Sequence, residues 1–135
     1  MTLDNINVGD KLPELEIPIT PLQIVSGAIA TQDFENVHHD KAAAQAAGTP
    51  DIFMNILTTN GLVGRYLTDW AGQHARIKRI QLKLGVPNFP GDSMLLSGRV
   101  NAVADSIIDV EFKGKNGLGN HVTGTASLTI LSTEV

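Results

Sequence analysis

Two residues five apart, Asp33 and His38, stand in the segment Asp33-Phe34-Glu35-Asn36-Val37-His38-His39-Asp40. A carboxylate and an imidazole held together can take a proton from water and pass one on, because imidazole titrates near neutral pH and a partly buried carboxylate can be drawn toward it. Side chains three or four residues apart share a helix face, and a spacing of five does not, so a bend must bring this pair together. An ordered bend is a suitable floor for an active site. Each residue also has a plainer use. Asp and His at this spacing commonly cap helices and shape turns, His39 is expected to face solvent, and Asp40 is placed as the N-cap of the alanine run that follows. A metal site at His38-His39-Asp40 is disfavoured, since adjacent side chains on extended backbone point apart and no third imidazole lies at a ligand spacing. His74 and His121 are distant in sequence and are expected at the surface.

Positioning the pair falls to the flanking elements. Residues 12–18 alternate apolar and polar, but Pro13 and Pro18 lack the amide that a strand ladder needs, which confines the segment to a sheet edge or a wrapping arm. Residues 22–30, with Ile24, Val25 and Ile29 around Gly27, suit a strand delivering the chain to Asp33. The alanine-rich run from Lys41, closed by Gly48 and Pro50, predicts a helix of about two turns. Residues 51–70 form the longest stretch of helical period, with Ile56, Leu57, Val63, Tyr66, Leu67 and Trp70 mostly at three- and four-residue steps. Tyr66 and Trp70 are read as core or subunit-interface residues. Gly61 and Gly64 each cost this helix roughly 1 kcal/mol relative to alanine, which implies a close backbone approach at that face and overpacking by leucine at position 64. Ala71-Gly72 supplies the stop.

From Ala75 the period changes to two, with Ile80, Leu82 and Leu84 opposite Arg79, Gln81 and Lys83. Further β-rich runs at 93–103, 107–113 and 121–131 are separated by turn signals at Ala104-Asp105-Ser106 and Asn116-Gly117-Leu118-Gly119, which predicts an antiparallel meander. The layout is α+β, one curved antiparallel sheet on one main helix.

The chain of 135 residues, 42% hydrophobic and 18% charged, fits a single domain over 1–135 with a real core. Without cysteine it has neither disulfides nor thiolate metal ligands, and the cytoplasm is the expected compartment. No apolar run approaches the ~20 residues of a membrane span, so no membrane is expected as partner. A formal charge of -4 argues against nucleic acid. Arg76, Lys78, Arg79 and Lys83 concentrate basic charge on one strand; a solvated face explains them more simply than contact with an anionic ligand.

On these residues the chain resembles the MaoC-like (R)-specific enoyl-CoA hydratases of the hot-dog fold. Their pattern of Asp, aromatic, Asn, Pro, any, His, any, Asp is matched by 33–40 in spacing and in both key residues, and Phe89-Pro90-Gly91-Asp92-Ser93 resembles the turn before their long strand. Within the family, residues 51–57, 66–72 and 84–87 are similar to the small subunit of the heteromeric actinobacterial hydratase of steroid side-chain enoyl-CoAs. The chain departs from the pattern at Glu35 and Asn36, and at Phe53-Met54-Asn55, where most members carry His-Gly-Met.

The resemblance implies a hot-dog fold, an antiparallel sheet wrapped around one long central helix. It also implies hydration of the C2=C3 bond of a 2-enoyl-CoA by Asp33 and His38, with the backbone N–H of Met54 as the oxyanion donor. No cofactor is implied, coenzyme A being part of the acyl-CoA substrate. The expected assembly is a homodimer or a heteromer with a larger MaoC-like subunit. A non-catalytic subunit completing a partner's site, or a thioesterase of the same fold, are the alternatives.

Overall fold

The computed structural model describes residues 5–131. Its strands β1 (Lys11–Pro18), β2 (Ala75–Leu84), β3 (Ser93–Ala104), β4 (Ile107–Asn116) and β5 (Gly119–Ile130) form one sheet in the order β1-β3-β4-β5-β2, with every neighbouring pair antiparallel. The meander β3-β4-β5 is the centre and β1 and β2 are the edges, so the proline-bearing segment is an edge strand as its missing amides require. Alternation is cleanest in β4, where Ile108, Val110 and Phe112 point inward between Asp109, Glu111 and Lys113. On β2, Arg76, Lys78, Arg79 and Lys83 are exposed, and among the described residues none of them forms an ion pair. No helix among the described residues is long and apolar enough to cross a membrane.

The main helix α3 (Ile56–Ala71) lies on the inner face, burying Thr59, Val63, Tyr66, Leu67 and Ala71 against Met94, Leu96, Val100, Val110 and Leu128. The sheet makes room with glycines. Phe112 stands opposite Gly98 on one neighbour and Gly124 on the other, and a Cβ at Gly124 would fall on the Gln81 carbonyl and within 2.6 Å of the Phe112 ring. Tyr66 approaches the same gap, 3.6 Å from where a Gly98 Cβ would be, and its buried hydroxyl has no hydrogen-bond partner among the described residues.

The fold departs from the sequence expectations at three places. Residues 22–30 belong to a helix, α1 (Pro21–Ala30), not a strand. Thr20 caps it by accepting from the Gln23 N–H, Pro21 opens its first turn, and the buried positions Ile24 and Ala28 are a helical four apart. The long helix begins at Ile56 rather than 51, because Asn55 is its N-cap and the amides of Phe53 and Met54 are given to the carbonyls of Val37 and Asn88. Among the described residues nothing lies within 4 Å of where a Cβ would be at Gly61 or Gly64, so no described segment approaches them closely. The close approach is at Gly27 of α1, whose missing Cβ would fall on the Thr58 side chain in the first turn of α3.

These glycines give opposite expectations. Gly124→Ala should lower stability by about 1–3 kcal/mol, since the obstacles are backbone and a core ring. Gly64→Ala should raise it by up to about 1 kcal/mol through helix propensity alone. Urea unfolding of the two variants checks both signs.

Candidate active site

The end of α1 sets Asp33. Thr31 is the C-cap, Gln32 adopts a left-handed conformation at φ 58°, and two backbone bonds close the turn, Gln32 N–H to the Ile29 carbonyl at 3.0 Å and Asp33 N–H to Ala28 at 2.9 Å. This is the Schellman arrangement, with glutamine where glycine is usual. It leaves Asp33 at the close of the capping turn, three residues beyond the last helical residue Ala30. A single 3-10 turn, Asn36–His38, then reverses the chain and buries His38. Asp40 caps α2 (Lys41–Ala46) by accepting from the Ala43 N–H at 3.2 Å, and His39 is exposed, both as the sequence implied.

The bend brings the pair together, with His38 Nε2 3.4 Å from Asp33 Oδ2. The ring donates from Nδ1 to the Phe53 carbonyl at 2.7 Å; a carbonyl only accepts, so that bond fixes the tautomer and a neutral ring offers Nε2 as an acceptor. Phe53 also packs edge-on against the ring at 5.0 Å and is followed edge-on by Phe89 at 6.4 Å. Asp33, with its side chain 24% exposed, borders an open depression of about 460 Å³ formed by residues 32–36.

Asp33 differs from expectation in its charge. Its carboxyl is held below the usual carboxylate value, chiefly by a hydrogen bond donated from the Asn55 side chain at 3.0 Å, with help from the Glu35 amide and the facing His38 and against the desolvation of partial burial. It is not drawn toward neutral pH. In the sequence Asn55 stands out only as part of the departure at Phe53-Met54-Asn55 and not as a partner of Asp33. Its signal was there, an asparagine directly before the helical run, which is the usual mark of an N-cap.

The amide assigned to Met54 is already engaged, donating to the Asn88 carbonyl at 3.1 Å. Asn88 is fully buried, contacts the sulfurs of Met54 and Met94 through its side-chain nitrogen, and accepts from Asn116 at 2.8 Å. Met54 therefore anchors the approach to α3, with its N–H given to the Asn88 carbonyl. The backbone that follows, at Asn55, Ile56 and Leu57, opens the helix.

His121, expected at the surface, is buried. Its Nδ1 donates to the Val86 carbonyl at 2.7 Å, and Nε2 lies 2.8 Å from the hydroxyl of Thr59, also buried in the first turns of α3. With Nδ1–H committed, the neutral ring accepts the Thr59 hydrogen at Nε2. Burial pushes its pKa below the ordinary value, and the bond to Val86 opposes that only partly. His74 is exposed.

With this fold and pair in place, the chain belongs to the MaoC-like domain family, whose match spans residues 6–121. It is an enzyme chain of the lyase class to which hydratases belong. The beta subunit of 3-oxo-4,17-pregnadiene-20-carboxyl-CoA hydratase from Mycobacterium tuberculosis is 54% identical over 123 residues, 91% of this chain and 95% of that protein. A chain of the ChsH1-ChsH2 complex from the same organism superposes with a TM-score of 0.90 at 53% identity, covering 92% of this chain and 98% of that one. The (R)-hydratase from A. caviae involved in PHA biosynthesis superposes at 0.86 with 21% identity over 93% and 98% of the two chains, a likeness of fold, and that fold is the hot-dog fold.

Acid should act on stability through two groups. His121, depressed in the fold from 6.5, stays neutral where the unfolded chain already binds a proton, so stability is lost as pH falls below 6.5 toward the folded value. Asp33, depressed from 3.8, adds a loss only below that value, as pH falls through its folded pKa. Melting temperatures measured between pH 7 and pH 5 should fall in the wild type, and His121→Gln should flatten that slope.

Proposed function

We propose that this chain is the catalytic small subunit of a heteromeric hydratase that adds water across the C2=C3 bond of a steroid side-chain 2-enoyl-CoA. The observation that carries the reading is the facing of Asp33 Oδ2 and His38 Nε2, 3.4 Å apart within one chain. A carboxylate and a neutral imidazole nitrogen both accept hydrogen bonds. A water molecule with two hydrogens satisfies both at once and is thereby aimed with its lone pairs outward, toward C3.

The chemistry then needs no other reagent. The water oxygen bonds to C3, one of its protons passes to the dyad, and the dyad returns a proton to C2, so that Asp33 and His38 end as they began. Negative charge gathers on the thioester oxygen as C3 is attacked, and the amides at the start of α3, beginning with Asn55, together with the positive end of the helix dipole, are the groups suited to meet it.

Three features support a partner. The site in one chain is an open depression rather than an enclosed cleft. Leu22 and Ile29 on α1, Phe34 beside Asp33, and Ile56 and Leu57 on α3 are exposed apolar side chains. Among the described residues β2 ends the sheet with an unpaired edge, which a second hot-dog domain would cover. The likeness to a beta subunit and to a chain of a two-component complex favours a larger MaoC-like partner over a second copy.

Purified protein should be assayed with short and steroid-bearing enoyl-CoAs, alone and with the candidate partner. Asp33→Asn and His38→Ala should each lower kcat of the assembled enzyme by about 10²–10⁴. Near-wild-type turnover in a folded variant would overturn the catalytic assignment, and full activity of the chain by itself would overturn the heteromer.

A further inference from the structure

We infer that Asn55 is a positioning residue for the reaction, fixing the orientation and the ionised state of Asp33 from the N-cap of α3. The orientation of its amide follows from its partners. The Thr58 backbone N–H can only donate, and it lies 3.1 Å from one end of the Asn55 side chain, which must therefore be the oxygen. The Thr58 hydroxyl donates to the same oxygen. The nitrogen end then faces the Thr31 hydroxyl at 2.9 Å and Asp33 Oδ2 at 3.0 Å, one hydrogen for each. Every donor and acceptor of a side chain only 2% exposed is in use, so the amide has no freedom to turn away.

The oxygen that Asn55 holds is the one facing His38. A bond donated to Oδ2 favours the charged carboxylate over the acid and fixes the plane in which its remaining lone pairs are offered. Few other charges compete. His38 faces Asp33 from the 3-10 turn, Glu35 lies two residues on and is exposed, α1 carries no charged residue, and α3 has none in its first turn. The packing of α1 on α3 through Gly27 brings the two ends together, because the Thr58 side chain under Gly27 is the one that holds the Asn55 oxygen. Asn55 acts through Asp33 and need not touch the substrate with its side chain.

The activity arm of the test rests on the hydratase reading, whereas the titration arm does not. Serine keeps the N-cap but is too short to reach Asp33, so Asn55→Ser separates capping from positioning. With carbon-13 in the aspartate carboxyls of this chain, assembled as purified, the Asp33 titration should move upward in Asn55→Ser while the melting temperature holds. In the enzyme, kcat should fall about 10- to 100-fold, the worth of one hydrogen bond to a charged group, with KM nearly constant and the acid limb of the kcat profile moved up. Adding Asn55→Ser to Asp33→Asn should cost nothing further. An unmoved Asp33 titration, unchanged kcat, or an additive double variant would each overturn the inference. A fully active Asp33→Asn would instead overturn the hydratase assignment and leave the titration result standing. Should Asn55→Ser fail to fold, Asn55→Asp preserves the cap and should raise the Asp33 titration through a second carboxylate; no rise there would count equally against it.

Discussion

The first turn of a helix has N–H groups with no partner inside the helix, and something outside must accept from them. In α3 the side-chain oxygen of Asn55 does so, and much of the chain is arranged about that bond. Because the same amide reaches the end of α1 and Asp33, the start of the main helix is tied to the docked end of α1. A capping requirement of the scaffold and a placement requirement of the chemistry are thus met by one side chain. The loop before β3 secures the other side, through Asn88 on Met54 and Phe89 on Phe53.

The sheet, the main helix and the facing of Asp33 and His38 were legible in the sequence because each rests on a short-range pattern. Period-two alternation marked β2 to β5, and the spacing of Val63, Tyr66, Leu67 and Trp70 marked the body of α3. The family pattern across 33–40 singled out the two residues that the structure brings face to face. What was misread depended on contacts far apart in sequence or on caps outweighed by side-chain type. In α1 the β-branched residues Ile24, Val25 and Ile29 suggested a strand, yet Thr20 and Pro21 started a helix and Gln32, not a glycine, ended it. In α3 the apolar run concealed a boundary that Asn55 was announcing.

Other errors had no local signal at all. Whether an interior helical glycine faces a neighbour or open space depends on where the rest of the fold lies, and here the glycine that meets a neighbour is Gly27 rather than Gly61 or Gly64. His121 sits where β5 begins and Val122 is buried as well, so the alternation that would have turned it outward has not yet set in; the register irregularity opposite, between Gly114 and Lys115, marks the same place. A lone histidine beside a glycine-rich turn gives no hint of Val86 and Thr59 waiting for its two nitrogens. Similarly, the neighbouring carboxylate at Asp33 could be placed from sequence, but its charge state could not, since that belongs to a partner twenty-two residues away.

The unpartnered hydroxyl under Gly98 carries a consequence of an optical kind. Tyr66 is the single tyrosine of the chain, and burial, with some repulsion from Glu14, pushes its pKa from 10.0 to about 12. The unfolded chain ionises its phenol near 10, so the fold gives up stability as alkali carries the pH from there toward 12. Phenolate absorbs ultraviolet light at longer wavelength than phenol, and no other residue of this sequence supplies that band. Its appearance in alkali well below pH 12 would therefore report the opening of the seam between α3 and the sheet, which gives this protein a colourimetric gauge of its own core without any label being added.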